Sequence, residues 1–215
     1  MSRAPGVALA CALTCALACA LTCAAGCTGA RPTTNDRFVD APTGEVAAWA
    51  TSPDGRLRVP LRRGLAWNKE PTDDGSLLKA RADEGPTYVV ATTFEAPPPV
   101  TLRACAEAHG ARMLAAAASR GVEMTTPRLI EEAHRAAMVP RVSYAVALEA
   151  AAGARPASLM SSWTYALDGT RCYAIGVTTL VHAKADDARL PDPDDLQRLE
   201  RVYAVVADGV AVAPP

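Results

Sequence analysis

The sequence predicts an α+β fold: an antiparallel sheet of about six strands, with one helix in mid-chain and one C-terminal helix packed on it, an α/β/α-type sandwich. Three observations predict it. Two β-rich runs, SSWTYAL and TRCYAIGVTTLV, flank Asp168-Gly169, a dipeptide that suits a tight hairpin turn. Apolar residues recur at helical spacing over 102–116 and again over 196–206. Strands grouped apart from helices in this way belong to helix-covered antiparallel sheets.

The elements follow in order. Residues 76–83 and 87–94 read as two strands around a Glu84-Gly85-Pro86 turn, with Tyr88, Val90, Thr92 and Phe94 on one face. Pro97-Pro98-Pro99 ends the second, because proline has no N–H for the ladder. Thr101 is placed to cap a helix whose stripe is Leu102, Cys105, His109, Met113 and Ala116. Arg103, Glu107 and Arg112 take its outer side, and Gly121 stops it. Residues 124–133 and 138–150 read as strands, the second alternating Val142, Tyr144, Val146 and Leu148. After the hairpin, Asp192 can cap a last helix with Pro193 in its first turn and acids at its positive dipole end. Leu196, Leu199, Val202, Tyr203 and Val206 form its inner face, and Gly209 closes it.

This element order, with FEAPPPVTLRACAEAHGARML at its centre, resembles the PsbP/Mog1-like fold over roughly residues 56–210. The resemblance implies an antiparallel sheet flanked by helices. It also implies an accessory or binding role, since most members of that family have no chemistry of their own.

The amino terminus predicts an address. Cys11, Cys15, Cys19, Cys23 and Cys27 are spaced by four, which on a helix drifts by roughly 40° per step. Only Ala, Leu, Thr and Gly separate them, with no His, Asp or Glu to complete a metal site. Met1-Ser2-Arg3 is a short positive start, and residues 7–25 carry no charge and end in small residues, as a secretory signal requires. The run is long enough to be weighed as a membrane span, yet it is mostly Ala and ends without a basic cluster. Ala24-Ala25-Gly26-Cys27 resembles the lipobox of bacterial lipoproteins. That resemblance implies cleavage before Cys27, a diacylglyceryl group on its sulfur and an acylated new amino terminus. Two or more such chains anchor stably where one does not. Cys19, after Leu17-Ala18, is the rival position, and plain cleavage at an Ala-x-Ala-like site is the alternative. Thr28 in place of Asp implies, in a lipoprotein of a two-membrane cell, export to the outer membrane.

The expected organisation is a signal peptide over 1–26, a flexible tether over 27–46 and one α+β domain over 47–213. The tether is read from a stretch rich in Thr, Pro, Gly and Asp. The chain has 22 Lys+Arg against 23 Asp+Glu and no long run of either sign, so nucleic acid is not an expected partner.

Few residues offer chemistry. Cys105 and His109, one helical turn apart, could form half of a metal site, but the ordinary reading is a buried stripe. Cys105 and Cys172 are the cysteines left once Cys27 is acylated. In an oxidising envelope they either form one disulfide, closing a loop of about 68 residues worth roughly 4 kcal/mol, or stay as two buried thiols. Asp186-Asp187 and Asp192, Asp194 and Asp195 lack the Gly and Glu positions of a calcium loop. No nucleophile-elbow, Ser-x-x-Lys, His-Glu-x-x-His or phosphate-loop motif occurs, and the serines of SLMSSW have no basic partner at motif spacing. Glu131-Glu132-Ala133-His134 reads as a salt-bridged patch, and Trp49, Trp67 and Trp163 either mark a cleft or fill the core. No catalytic residue, cofactor or metal is therefore expected. The expected role is a lipid-anchored, non-enzymatic binding or accessory module with a protein partner. A hydrolase or transferase assembled from His109, His134 or Glu131, and a small-ligand carrier, are the alternatives.

Overall fold

The computed structural model describes residues 38–40, 46–72, 76–83, 85–134, 137–149 and 154–213, with side chains from 46 onward. The five-cysteine tract, Cys27 and most of the expected tether lie outside the described residues. One compact unit spans Asp36–Pro215, and both apolar cores described below lie inside it, so this unit has an interior of its own.

The chain forms two antiparallel sheets. Strands β1 (Phe38–Asp40), β2 (Val46–Thr51) and β3 (Leu57–Arg62) come first, followed by β4 (Trp67–Lys69), β5 (Leu78–Ala82) and β6 (Thr87–Glu95). Helix α1 (Leu102–Ser119) is next, then β7 (Arg128–His134), β8 (Ala137–Leu148), β9 (Ala157–Asp168) and β10 (Arg171–His182). Helix α2 (Pro193–Gly209) and the short β11 (Ala211–Val212) complete it. The larger sheet has seven strands in the order β4-β5-β6-β10-β9-β8-β7, and the smaller has four, β1-β2-β3-β11. The α+β class and both helices agree with the sequence reading.

Four expectations need correction. About six strands in one sheet become seven strands plus a second sheet. The missed hairpin β2–β3 is poor in alternation, and Pro60 sits in the middle of β3. It fits there because β11 pairs only with Leu57 and Arg58, leaving β3 an edge at Pro60. Within the expected tether, Phe38–Asp40 pairs with β2, and Val46 already belongs to β2. The strand expected over 124–133 begins at Arg128, with Met124 making only an isolated bridge to Val146. The hairpin turn is centred on Gly169 and Thr170, since Asp168 pairs with Arg171. Gly169 has φ +56°, the first central position where a II′ turn places glycine.

Each face of the large sheet has its own core. Val89 and Ala91 of β6 and Tyr173, Ile175 and Val177 of β10 point to one side, under β2, β3 and α2. Leu199, Val202, Tyr203 and Val206 line the helix side of this core, and Gly209 lets the helix end meet β3 closely: a Cβ there would lie 2.6 Å from Pro60 Cγ. The opposite face, with Val142, Tyr144, Trp163, Tyr165, Cys172 and Ala174, lies under α1. On β6, Thr87, Val89 and Ala91 point to the side covered by β2, β3 and α2 and are more deeply buried than the alternate set headed by Tyr88.

Candidate functional site

Helix α1 is built to present one narrow face. Thr101 Oγ1 accepts from Ala104 N at 3.0 Å, and Arg120 and Gly121 end the helix by donating to Ala117 and Ala118 carbonyls. Alanine occupies much of its surface, so only Cys105, Ala106, His109 and Gly110 are buried. Cys105 is joined to Cys172 of β10 as a disulfide with Cα atoms 6.0 Å apart, within the usual span of such a bond. One turn on, His109 Nδ1 meets Tyr165 Oη at 2.9 Å, and its ring lies tilted against the Trp163 ring at 4.4 Å and parallel to the Phe94 ring at 6.1 Å. Trp163 Nε1 in turn donates to Tyr144 Oη at 3.0 Å. Gly176, opposite Trp163 on β10, leaves room for the indole, because a Cβ there would lie 2.6 Å from it. The Cys105/His109 pair is thus core rather than half of a metal site. Among the described residues, no group of three or more His, Cys, Asp or Glu could hold a metal.

Burial, with a smaller contribution from the Arg112 charge, lowers His109 from 6.5 to about 4. On acidification the unfolded chain therefore takes up this proton first. The stability that neutral His109 contributes is intact above about pH 6.5 and is lost as pH falls to about 4, on the order of 3 kcal/mol in all. His109→Gln should flatten the acid limb of a denaturant-derived stability curve by about one proton over that range. An unchanged slope would contradict the buried, neutral imidazole.

Beside this clamp, α1 and the sheet edge enclose a shallow apolar groove of about 230 Å³. Ala106, Gly110 and Leu114 form its helix wall, and Pro127, Leu129 and Val142 its floor. Gly110 brings the helix close to Pro127, with a virtual Cβ 3.4 Å from its ring. Leu114 is 41% exposed. Strand β7 closes this end of the sheet, so its outer backbone edge has no strand beside it among the described residues. Glu107 at the rim pairs with Arg103, which also reaches Glu131.

On the other face, a polar cluster ties the same end of the sheet to α2. Arg141 of β8 donates to Glu132 and Glu200, and to Ser162 at 2.7 Å, while its guanidinium lies 4.2 Å over the Tyr203 ring. His134 Nδ1 meets Asp208 at 2.9 Å and Nε2 meets Glu132 at 3.3 Å. Both ring nitrogens therefore face carboxylates, and Ser162 Oγ is held by Arg141 and Ser143. The cluster joins elements distant in sequence and does not pair a hydroxyl with an imidazole. Glu131-Glu132-Ala133-His134 is the salt-bridged patch that the sequence led us to expect, although Glu131 itself faces Arg103 on the α1 side. Arg141 is not singled out by the sequence reading, although Arg141 and Ser143 alternate with Val142 and Tyr144 and so mark a polar face opposite an apolar one.

The remaining candidates are dispersed. His182 is held by Asp195, which also takes Arg198, and Asp192 caps α2 by accepting from Asp194 N at 3.1 Å. The carboxylates at the start of α2 thus act in capping and ion pairs. Trp163 is core, while Trp49 and Trp67 are half-buried on separate strands and mark no common cleft. No helix among the described residues is long and apolar enough to cross a membrane.

No family model matches the chain, and no curated protein matches it. Among solved structures it is similar to the Ran-binding protein Mog1p of Saccharomyces cerevisiae, at 10% identity and a TM-score of 0.44, covering 77% of this chain and 95% of that one. A likeness at that level says nothing of role.

Proposed function

We propose that this protein is a non-enzymatic binding or accessory module, tethered through an acylated Cys27 to a membrane outside the cytosol, which takes a segment of a protein partner in the groove between α1 and β7. The observation that carries the binding reading is the groove itself: an exposed apolar wall on α1 beside an open strand edge, a pairing of surfaces that suits an extended peptide. The Cys105–Cys172 bond supports an oxidising address, where such bonds persist. Thr28 favours the outer membrane of a two-membrane cell, facing the periplasm. The enzyme alternative has less support, because His109, His134 and His182 are each committed to the contacts above. The carrier alternative is weakened by the shallow, open form of the groove.

Leu114→Glu places a charge on the groove wall at a position where the folded domain has little to lose. Proteins captured from detergent-solubilised envelopes by the native chain should be depleted roughly 30-fold by this variant, the effect of losing about 2 kcal/mol at a central apolar contact. Equal capture by both chains would refute the groove as the docking site.

A further inference from the structure

The two ends of the seven-stranded sheet are closed differently. Strand β4 is three residues long, a short edge that offers little to a newcomer. Strand β7 is seven residues long, holds no proline, and pairs with β8 without a bulge from Arg128↔Ser143 to His134↔Ala137. Alternation fixes which of its backbone groups are free. Ala145 O accepts from Thr125 N and Ala147 N donates to Glu123 O, so the odd residues of β8 turn their backbone toward β7. Arg128, Ile130, Glu132 and His134 therefore bond to β8, while Leu129, Glu131 and Ala133 turn their N–H and C=O groups to the open edge. Pro140, which has no N–H, faces Glu131, as this pattern requires.

A second β7 fits this edge antiparallel about a twofold axis when odd residues face odd residues, which leaves few registers. Centred on Leu129, Glu131 would face Pro127, which has no N–H to give. Centred on Glu131 or on Glu132, acid faces acid, and centred on Arg128, guanidinium faces guanidinium. Like charges directly opposite each other destabilise a strand pair, and opposite charges stabilise it. Centred on Ile130, Arg128 of each copy faces Glu132 of the other, and Ile130 meets itself. Arg128 is exposed and has no ion partner among the described residues, so this register supplies one. Glu132 keeps 26% of its side chain exposed beside Arg141 and can receive it. We infer that β7 is a self-association edge: a second copy of this chain adds its own β7, centred on Ile130. Two seven-stranded sheets then become one, with α1 of both copies on the same side. The inference rests on the open edge of the reading above and names its occupant.

The test is sedimentation of residues 28–215, which hold the whole compact unit. The seam is short, so the dimer should be weak, with Kd on the order of 10 μM. Arg128→Glu and Glu132→Lys should each weaken it about 25-fold, about fivefold at each of the two symmetry-related pairs. An equimolar mixture of the two variants should recover dimers near native strength, because each copy then supplies the charge that the other lacks. Glu131→Pro removes an N–H from the open edge only, and should abolish dimers while the monomer keeps its thermal midpoint. It decides the matter should Glu132→Lys disturb the Arg141 cluster. A native chain that stays monomeric to about 100 μM overturns the inference. So do dimers that survive Glu131→Pro, or weakening by two folded charge variants that mixing does not relieve. Monomers together with loss of captured proteins on Leu114→Glu would leave the groove reading standing without this one. Dimers together with equal capture by the native chain and Leu114→Glu would do the reverse.

Discussion

Replacing Cys105 with alanine is expected to destabilise the domain by about 4 kcal/mol and to lower its thermal midpoint by about 12 °C. The two cysteines are 67 residues apart in sequence. In the chain-entropy account, opening a loop of that length returns about 4 kcal/mol of freedom to the unfolded chain. For a domain of this size each kcal/mol moves the midpoint by about 2–4 °C. That is a large share of the total stability of an ordinary domain. The loss should also concentrate on α1, whose buried face is only Cys105, Ala106, His109 and Gly110. Cys172→Ala and the double variant should cost the same as Cys105→Ala, because each removes one and the same bond. Chemical denaturation of the three variants, with and without reductant on the native chain, checks this. Small costs that simply add would mean two independent buried thiols.

Trp163→Ala should cost nearly as much, about 4 kcal/mol, for a different reason. The indole belongs to the core under α1, packs at a tilt against His109 and donates to Tyr144. Its removal leaves a cavity, takes away the His109 contact and strips a buried hydroxyl of its donor. The space above Gly176 gives the effect a signature. Gly176→Ala alone should cost about 2 kcal/mol, since its Cβ would lie 2.6 Å from the indole. In the Trp163→Ala background the same substitution should be close to neutral. Denaturant midpoints for the two single variants and the double variant measure that coupling. Additive costs would show that the indole does not occupy the space over Gly176.

The contrast between these residues and the small sheet shows what a single sequence carries. The hairpin of β9 and β10 was legible because alternation, β-branched residues and a turn glycine agree. Helix α1 was legible from Thr101, the spacing of Cys105 and His109, and Gly121, even though alanine blurs its polar and apolar sides. Strands β2 and β3 were not. Alanine gives weak alternation in VAAWAT, and Pro60 argues against a strand until the short reach of β11 is known. The groove was beyond reach for a related reason. It depends on Gly110 meeting Pro127 and on β7 falling at the end of the strand order, both of which are tertiary facts. Cys105 and Cys172 were visible as the two leftover cysteines, but only the packing of α1 on β10 brings their Cα atoms within bonding range. The Arg141 cluster joins β7, β8, β9 and α2, and its sequence trace is a bare alternation in one strand.

The placement of this protein is tested most directly by the intact mass and amino-terminal sequence of the native product extracted from its membranes. A chain that starts at Cys27 and carries fatty-acyl mass on that residue is the predicted result. A chain that still starts at Met1, or one with an unmodified sulfur at Cys27, would contradict it.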